Sequence, residues 1–155
     1  MADIKEIISE KRGALANIHK VFLDFPQGVE GHFDLYEKIM LEEYLPLPRG
    51  MREFIAVEVS KANECPYCIT HHQEAYKNFE NELDPEKLNI LREFSQMVSK
   101  EPWKASQFNE KFKNEGFTHP QFLQAVMVAS YFNMANRMAF CLDLEIETDF
   151  DKSCN

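Results

Sequence analysis

An all-α fold of about six to eight helices is what this sequence predicts, and three observations predict it. Apolar residues recur at three- and four-residue spacing through most of the chain, the period of a helix face. Proline and glycine fall between those segments, with Asp84 and Thr118 placed as caps ahead of apolar runs. No stretch reads as a convincing strand, and no Asn-Gly or Asp-Gly pair marks a hairpin. At 155 residues, 45% of them hydrophobic, the chain is one domain's worth and long enough to bury a proper core.

From Ala2 to Leu23 the apolar positions Ile4, Ile7, Ile8, Leu15, Ile18, Val21 and Phe22 follow helical spacing, with Gly13 separating or weakening two helices. Asp24 to Gly28 reads as a loop. Val29 to Tyr44 is helical again, burying Phe33, Tyr36 and Met40. The prolines of Leu45 to Gly50, L-P-L-P-R-G, exclude a helix interior. Arg49 to Ala62 forms the next helix: Arg52, Ile55, Ala56, Val59 and Ala62 share one stripe, and Glu53, Val57 and Ser60 another. A helix opens at Pro66 and runs to about Glu80. Asp84 caps a helix that starts at Pro85 and reaches about Lys100, where Pro102 stops it. Lys104 to Asn114 is a short charged helix closed by Gly116. Thr118 caps the last helix, which continues to about Leu142. The acidic tail, E-I-E-T-D-F-D-K-S-C-N, is expected to fray or to dock on a neighbour.

Composition excludes several classes of function. A formal net charge of −9 opposes phosphate backbones and anionic lipid, so neither nucleic acid nor membrane is an expected partner. The polar start of the chain has no export signature. A cytoplasmic setting keeps cysteines reduced, and there Cys-x-x-Cys reads as redox-active or metal-binding.

The informative stretch runs from Arg52 to His72, R-E-F-I-A-V-E-V-S-K-A-N-E-C-P-Y-C-I-T-H-H. With Cys65 as N-cap and Pro66 at N1, Cys68 lies at N3, and the positive end of the helix dipole favours thiolate on both. At about 100° per residue, Cys65, Cys68 and His72 share one face, while Tyr67 and His71 point away from it. Glu53, on a partly polar stripe, could orient His72 and raise its basicity. The bland alternative is a solvated glutamate beside two partly buried thiols. Zinc held by Cys65, Cys68, His72 and Glu53 is a poorer fit, because structural zinc sites bring a second ligand pair from elsewhere. Tyr67 and His71 read as surface or interface residues, Cys141 as a small core residue and Cys154 as an exposed spectator. His19, His32 and His119 have no clustered partner in sequence. In the last helix, Asn133, Asn136 and Arg137 interrupt an apolar stripe, which implies an internal polar network, a wet interface or a solvated helix end.

These residues carry a resemblance. Glu53, eleven residues, Cys65-x-x-Cys68, three residues and His72 match the motif of the alkylhydroperoxidase D-like branch of the carboxymuconolactone decarboxylase superfamily. L-P-R-G-M-R-E-F-I-A-V-E-V-S-K-A-N-E-C-P-Y-C and the later G-F-T-H-P-Q-F-L-Q-A-V-M-V-A-S-Y-F-N-M-A-N-R-M-A resemble its peroxidase-related subgroup. The likeness spans Leu45 to Leu142. Residues 1–44 are then N-terminal helices of the same domain, and 143–155 an acidic tail. The resemblance implies an all-helical homo-oligomer that reduces hydroperoxides without metal or cofactor. It implies Cys68 as the thiolate that meets peroxide, Cys65 as the resolving thiol, His72 as base and Glu53 as the group that tunes it. A dithiol reductant, lipoyl or thioredoxin-like, is the implied partner. Where the type enzyme has a second histidine, this chain has Tyr67. A thiol redox sensor and a lactone decarboxylase are the rival readings; the lactone branch lacks the dithiol.

Overall fold

A computed structural model describes residues 3–80 and 83–148. Eight α-helices account for most of them: α1 (Ile4–Arg12), α2 (Asn17–Lys20), α3 (Pro26–Tyr36), α4 (Arg49–Ala62), α5 (Pro66–Lys77), α6 (Pro85–Lys100), α7 (Phe108–Asn114) and α8 (His119–Cys141). No strand occurs among the described residues.

The bundle is built around α4, which packs against α5, α6 and α8. Every residue from Gly50 to Ser60 is buried, so α4 has no solvent face and must bury charges as well as apolar groups. Those charges are paired. Arg52 donates from Nη1 to the Met40 carbonyl at 2.5 Å, and Glu58 meets Lys61 at 3.0 Å and Arg92 at 3.3 Å. Gly50 lets α4 start against the segment after α5, because a Cβ there would come within 2.6 Å of Phe79 Cβ. A second aromatic layer joins α6, α7 and α8: Phe94 lies 5.5 Å from Phe108 and 5.2 Å from Phe112, and Phe112 lies 5.1 Å from Phe122.

Three helix ends share one device. At the end of α4, Cys65 N–H donates to Ser60 O and Glu64 N–H to Lys61 O, with Glu64 left-handed at φ 57. At α7 the same pair of bonds runs from Phe117 to Phe112 and Gly116 to Lys113, with Gly116 at φ 75. At α8 it runs from Leu144 to Ala139 and Asp143 to Phe140, with Asp143 at φ 48. These are Schellman endings, each reversing the chain sharply. The first makes Cys65 both the last bonded residue of one helix end and the N-cap of the next. The third sends the tail back across the bundle.

Several expected boundaries move. The segment from Asp24 to Gly28 is not all loop: α3 begins at Pro26, whose fixed φ suits N1. Gly28 fits there because the Phe25 ring folds over the first turn, 2.4 Å from where a Cβ would stand. The helix expected to run to Tyr44 changes at Tyr36 into a π-helical turn, Glu37–Leu41, and then ends. Lys104 to Asn114 is not one helix, since Pro102–Gln107 is 3₁₀ and only Phe108–Asn114 is α. Proline at the start of that turn and the shared carbonyls of a short helix favour the tighter winding.

Candidate active site

Local sequence places the dithiol as its pattern predicts. Cys65 is the N-cap of α5, Pro66 occupies N1, and Cys68 lies in the first turn. Both sulfurs are buried and not bonded to each other. The hydrogen bond from the Cys68 side chain is the main influence on Cys65, and with the Cys68 and Tyr67 amides it brings the Cys65 thiol down to about 7 against the effect of burial. The same hydrogen bond, and then burial, push Cys68 well up, while Asn136 and Arg12 pull it down. The pair therefore gives up one proton readily and the second with difficulty.

Glu53 lies on α4 and is fully buried. Its Oε2 is 2.7 Å from His72 Nδ1, and its Oε1 accepts from Arg49 Nε at 2.6 Å. Burial alone would raise this carboxyl, but the His72 ring and the Arg49 guanidinium outweigh it and hold it at about 2. Burial also lowers His72, with Glu53 opposing. The carboxylate is thus ionised and the imidazole neutral near pH 7. A carboxylate can only accept, so Nδ1–H donates and Nε2 is left as the basic nitrogen.

Cys68 and His72 line one narrow cavity with Arg12, Tyr36, Tyr67, His71, Tyr131 and Phe132. It has about 20 Å³ open to the centre of a water molecule. A wider groove lined by Glu86, Glu93, Lys111 and Glu115 lies between α6 and α7 and contains no thiol or histidine.

The structure corrects several sequence-based expectations here. Tyr67 and His71 are neither surface nor interface residues; they are buried walls of the cavity. Both are bound by Glu147 from the tail, Tyr67 Oη to Oε1 at 2.8 Å and His71 Nε2 to Oε2 at 2.7 Å. A docked tail gives α5 a second buried side, which helical periodicity within α5 does not reveal. His19 and His32 do cluster: their rings lie 5.3 Å apart, and His32 Nε2 is 2.8 Å from Tyr131 Oη. Cys141 is exposed at the end of α8, and Cys154 lies outside the described residues. Asn133 and Asn136 belong to an internal network, with Asn63 Nδ2 3.0 Å from Asn133 Oδ1 and 2.9 Å from Asn136 Oδ1. Asn136 Nδ2 donates to Ser60 Oγ at 3.0 Å, so the network ties the end of α4 to α8 beside the thiols.

Sequence reasoning missed Arg12, Tyr131 and Glu147. Arg12 carried a usable signal, because it continues the Ile4–Ile8 stripe at i+4, where a charge should not be buried without purpose. Its guanidinium sits 4.7 Å from the Tyr36 ring centre, and its positive charge favours thiolate on Cys68 and neutral rings at His19, His32 and His72. Glu147 carried none, being one of several acids in a polar tail.

The bundle has the alkylhydroperoxidase D-like helical fold. The sequence model of PA26 p53-induced protein (sestrin) matches residues 3–155, and the chain belongs to that family. No curated protein matches it. Among solved structures, an uncharacterized peroxidase-related protein from Silicibacter sp. TM1040 superposes with a TM-score of 0.82 at 22% identity, covering 97% of this chain and 86% of its own. An uncharacterized peroxidase-related protein from Ralstonia eutropha JMP134, described as an alkylhydroperoxidase AhpD core, gives 0.81 at 22% identity over 95% and 85%. The debrominase Bmp8 gives 0.66 at 16% identity over 97% and 88%. At these identities the likeness establishes the fold.

Proposed function

We propose that the protein is a thiol-dependent peroxidase that reduces hydroperoxides through the Cys65–Cys68 dithiol. The observation that carries this reading is the buried Glu53–His72 pair, whose imidazole lines the same cavity as the Cys68 side chain. His72 Nε2 takes the first proton from the dithiol, leaving one negative charge shared by two sulfurs. That charge rests on Cys65 and passes to Cys68 when the proton crosses the hydrogen bond between them. The Cys68 thiolate attacks the distal peroxide oxygen and the O–O bond breaks. His72 returns its proton to the leaving oxygen, so alcohol or water departs and Cys68 is left as sulfenic acid. The Cys65 thiol then attacks that sulfur, expels water and closes a disulfide. A dithiol reductant, lipoyl or thioredoxin-like, restores both thiols by exchange and becomes a disulfide itself.

The test is mass spectrometry after one equivalent of hydrogen peroxide, beside steady-state consumption with dithiothreitol. Cys68→Ser should abolish consumption. Cys65→Ser should oxidise once, carry a sulfenic acid on Cys68 and stop. Sulfenic acid on Cys65 of the Cys68→Ser protein at the wild-type rate would reverse the two roles, and stoichiometric oxidation of the wild type without turnover would make it a sensor.

The same reading includes a homo-oligomer. Its support is one face of α8, where Leu123, Met127, Ser130, Met134, Arg137 and Cys141 are all exposed at alternating spacings of four and three, the seam along which helices pack in pairs.

A further inference from the structure

Past α8 the chain does not leave the bundle. The Schellman ending at Asp143 turns it back, and Leu144 packs against the core. Asn17 Nδ2 then donates to the Glu145 carbonyl at 3.0 Å. Two residues on, the Glu147 carboxylate is only 8% exposed. Its Oε1 accepts from the Asn17 amide and from Tyr67 Oη, and its Oε2 meets His71 Nε2. Tyr67 Oη also accepts from the Ile18 amide at 3.1 Å. Charge-assisted bonds of this kind are the stronger ones in a protein, and the chemistry proposed for the dithiol uses none of them.

What they do is fix a wall. Tyr67, His71 and Ile18 all line the thiol cavity, and Glu147 grips the first two from behind. With that wall in place the cavity offers about 20 Å³ to the centre of a water molecule, against on the order of 10–15 Å³ needed for a single water. That is room for the two oxygens of hydrogen peroxide and for no branched or aromatic substituent.

We propose that the docked tail, latched by Glu147, restricts the cavity to hydrogen peroxide, and that organic hydroperoxides reach Cys68 only when the tail lifts off Tyr67 and His71. Glu147 is then a specificity-determining residue that acts through the two side chains it holds. The proposal builds on the peroxidase reading for its substrate, but the barrier itself is a matter of size and can be measured without turnover.

Two ratios test it, each on wild type, Glu147→Gln, Glu147→Ala and Asn17→Ser, with folding checked by circular dichroism. The first is kcat/KM for cumene hydroperoxide over that for hydrogen peroxide, with dithiothreitol as reductant. The second is the alkylation rate of Cys65 and Cys68 by fluorescein-5-maleimide over that by iodoacetamide. Wild type should favour the small reagent in both, the alkylation ratio being taken relative to that of free cysteine. Glu147→Ala should raise both ratios by roughly tenfold or more, the discrimination a pocket achieves through size, with Glu147→Gln and Asn17→Ser moving the same way by less. If no protein turns over peroxide but the alkylation ratio rises, the peroxidase reading fails and the gate stands. An alkylation ratio unchanged in every folded variant, or a wild type that prefers cumene hydroperoxide, overturns the gate.

Discussion

His72 and His32 are both buried histidines that share the influence of Arg12, yet they support different expectations. His72 has a carboxylate behind Nδ1 and the dithiol cavity in front. His72→Ala should therefore lower peroxide turnover on the order of 10²–10⁴-fold, the usual range for a lost general acid–base group. Iodoacetamide alkylation against pH would check it, since the reactivity profile should shift upward in the variant. An unmoved profile would mean that the helix dipole and Arg12 activate the thiols without His72. His32 instead answers to stability. Burial, helped by Arg12, takes it from 6.5 down to about 4. Between those values the unfolded chain binds the proton and the folded chain does not, so stability rises with pH across that window and is lost as pH falls from 6.5 to 4. The loss from His32 alone is on the order of 3 kcal/mol, with His19 and His72 acting in the same direction. Glu53, held at about 2, contributes stability that goes only below its ordinary carboxylate range. Urea unfolding at several pH values should show His32→Gln with a shallower dependence between pH 6.5 and 4. A slope equal to wild type would mean that His32 is not the group responsible.

At the scale of the element, α4 is the part with least tolerance. It has no solvent side, so its polar residues are tied to fixed partners: Arg52 to the end of the π-helical turn, Glu53 to α5, Ser60 to α8. Its first turn also depends on the missing side chain of Gly50. A Cβ at 2.6 Å from Phe79 Cβ meets the root of a side chain, not its flexible tip, so Gly50→Ala must push the chain after α5 away. That should destabilise the protein by about 1–3 kcal/mol, the usual cost of overpacking, and loosen the segment that leads from α5 to α6. Thermal melting would measure the first and hydrogen exchange at Phe79 the second. A melting point within a degree of wild type would show that this approach is not tight.

For the whole molecule the open question is assembly. Of the thirteen phenylalanines, most of the described ones are inside, and among them only Phe25 and Phe140 are more than half exposed. Two polar residues of α8, Asn133 and Asn136, are turned inward instead, joining Asn63 and Ser60 within the chain. What faces outward is the seam of Leu123, Met127 and Met134, at 50%, 46% and 40% exposure. A self-complementary pairing of that seam around a symmetry axis is the economical way to cover it. Light scattering at micromolar concentration should give a multiple of the 18.2 kDa chain mass, and Met127→Glu should shift it toward the single chain. A wild-type monomer would refute assembly and leave the dithiol chemistry standing, since its groups come from one chain.

Most of the helix starts could be read locally because their causes are local. Pro66 after Cys65, Pro85 after Asp84 and Thr118 with Gln121 each settle a helix N-terminus within four residues. The spacing of Glu53, Cys65, Cys68 and His72 was equally legible, since two helices joined by three residues bring that stretch together over a short loop. What no local pattern encodes is which other segments close on it. Arg12 reaches the cavity from α1 and Tyr131 from α8, and Glu147, from beyond α8, holds Tyr67 and His71 in its wall. Their nearness to Cys68 depends on packing across the whole bundle and on the reversal at Asp143. The sequence by itself thus determined the helices and the row of reactive groups. Only the tertiary structure decided that Tyr67 and His71 are buried, that His19 and His32 meet, and that a tail carboxylate holds Tyr67 and His71, because each contact joins residues far apart in the chain.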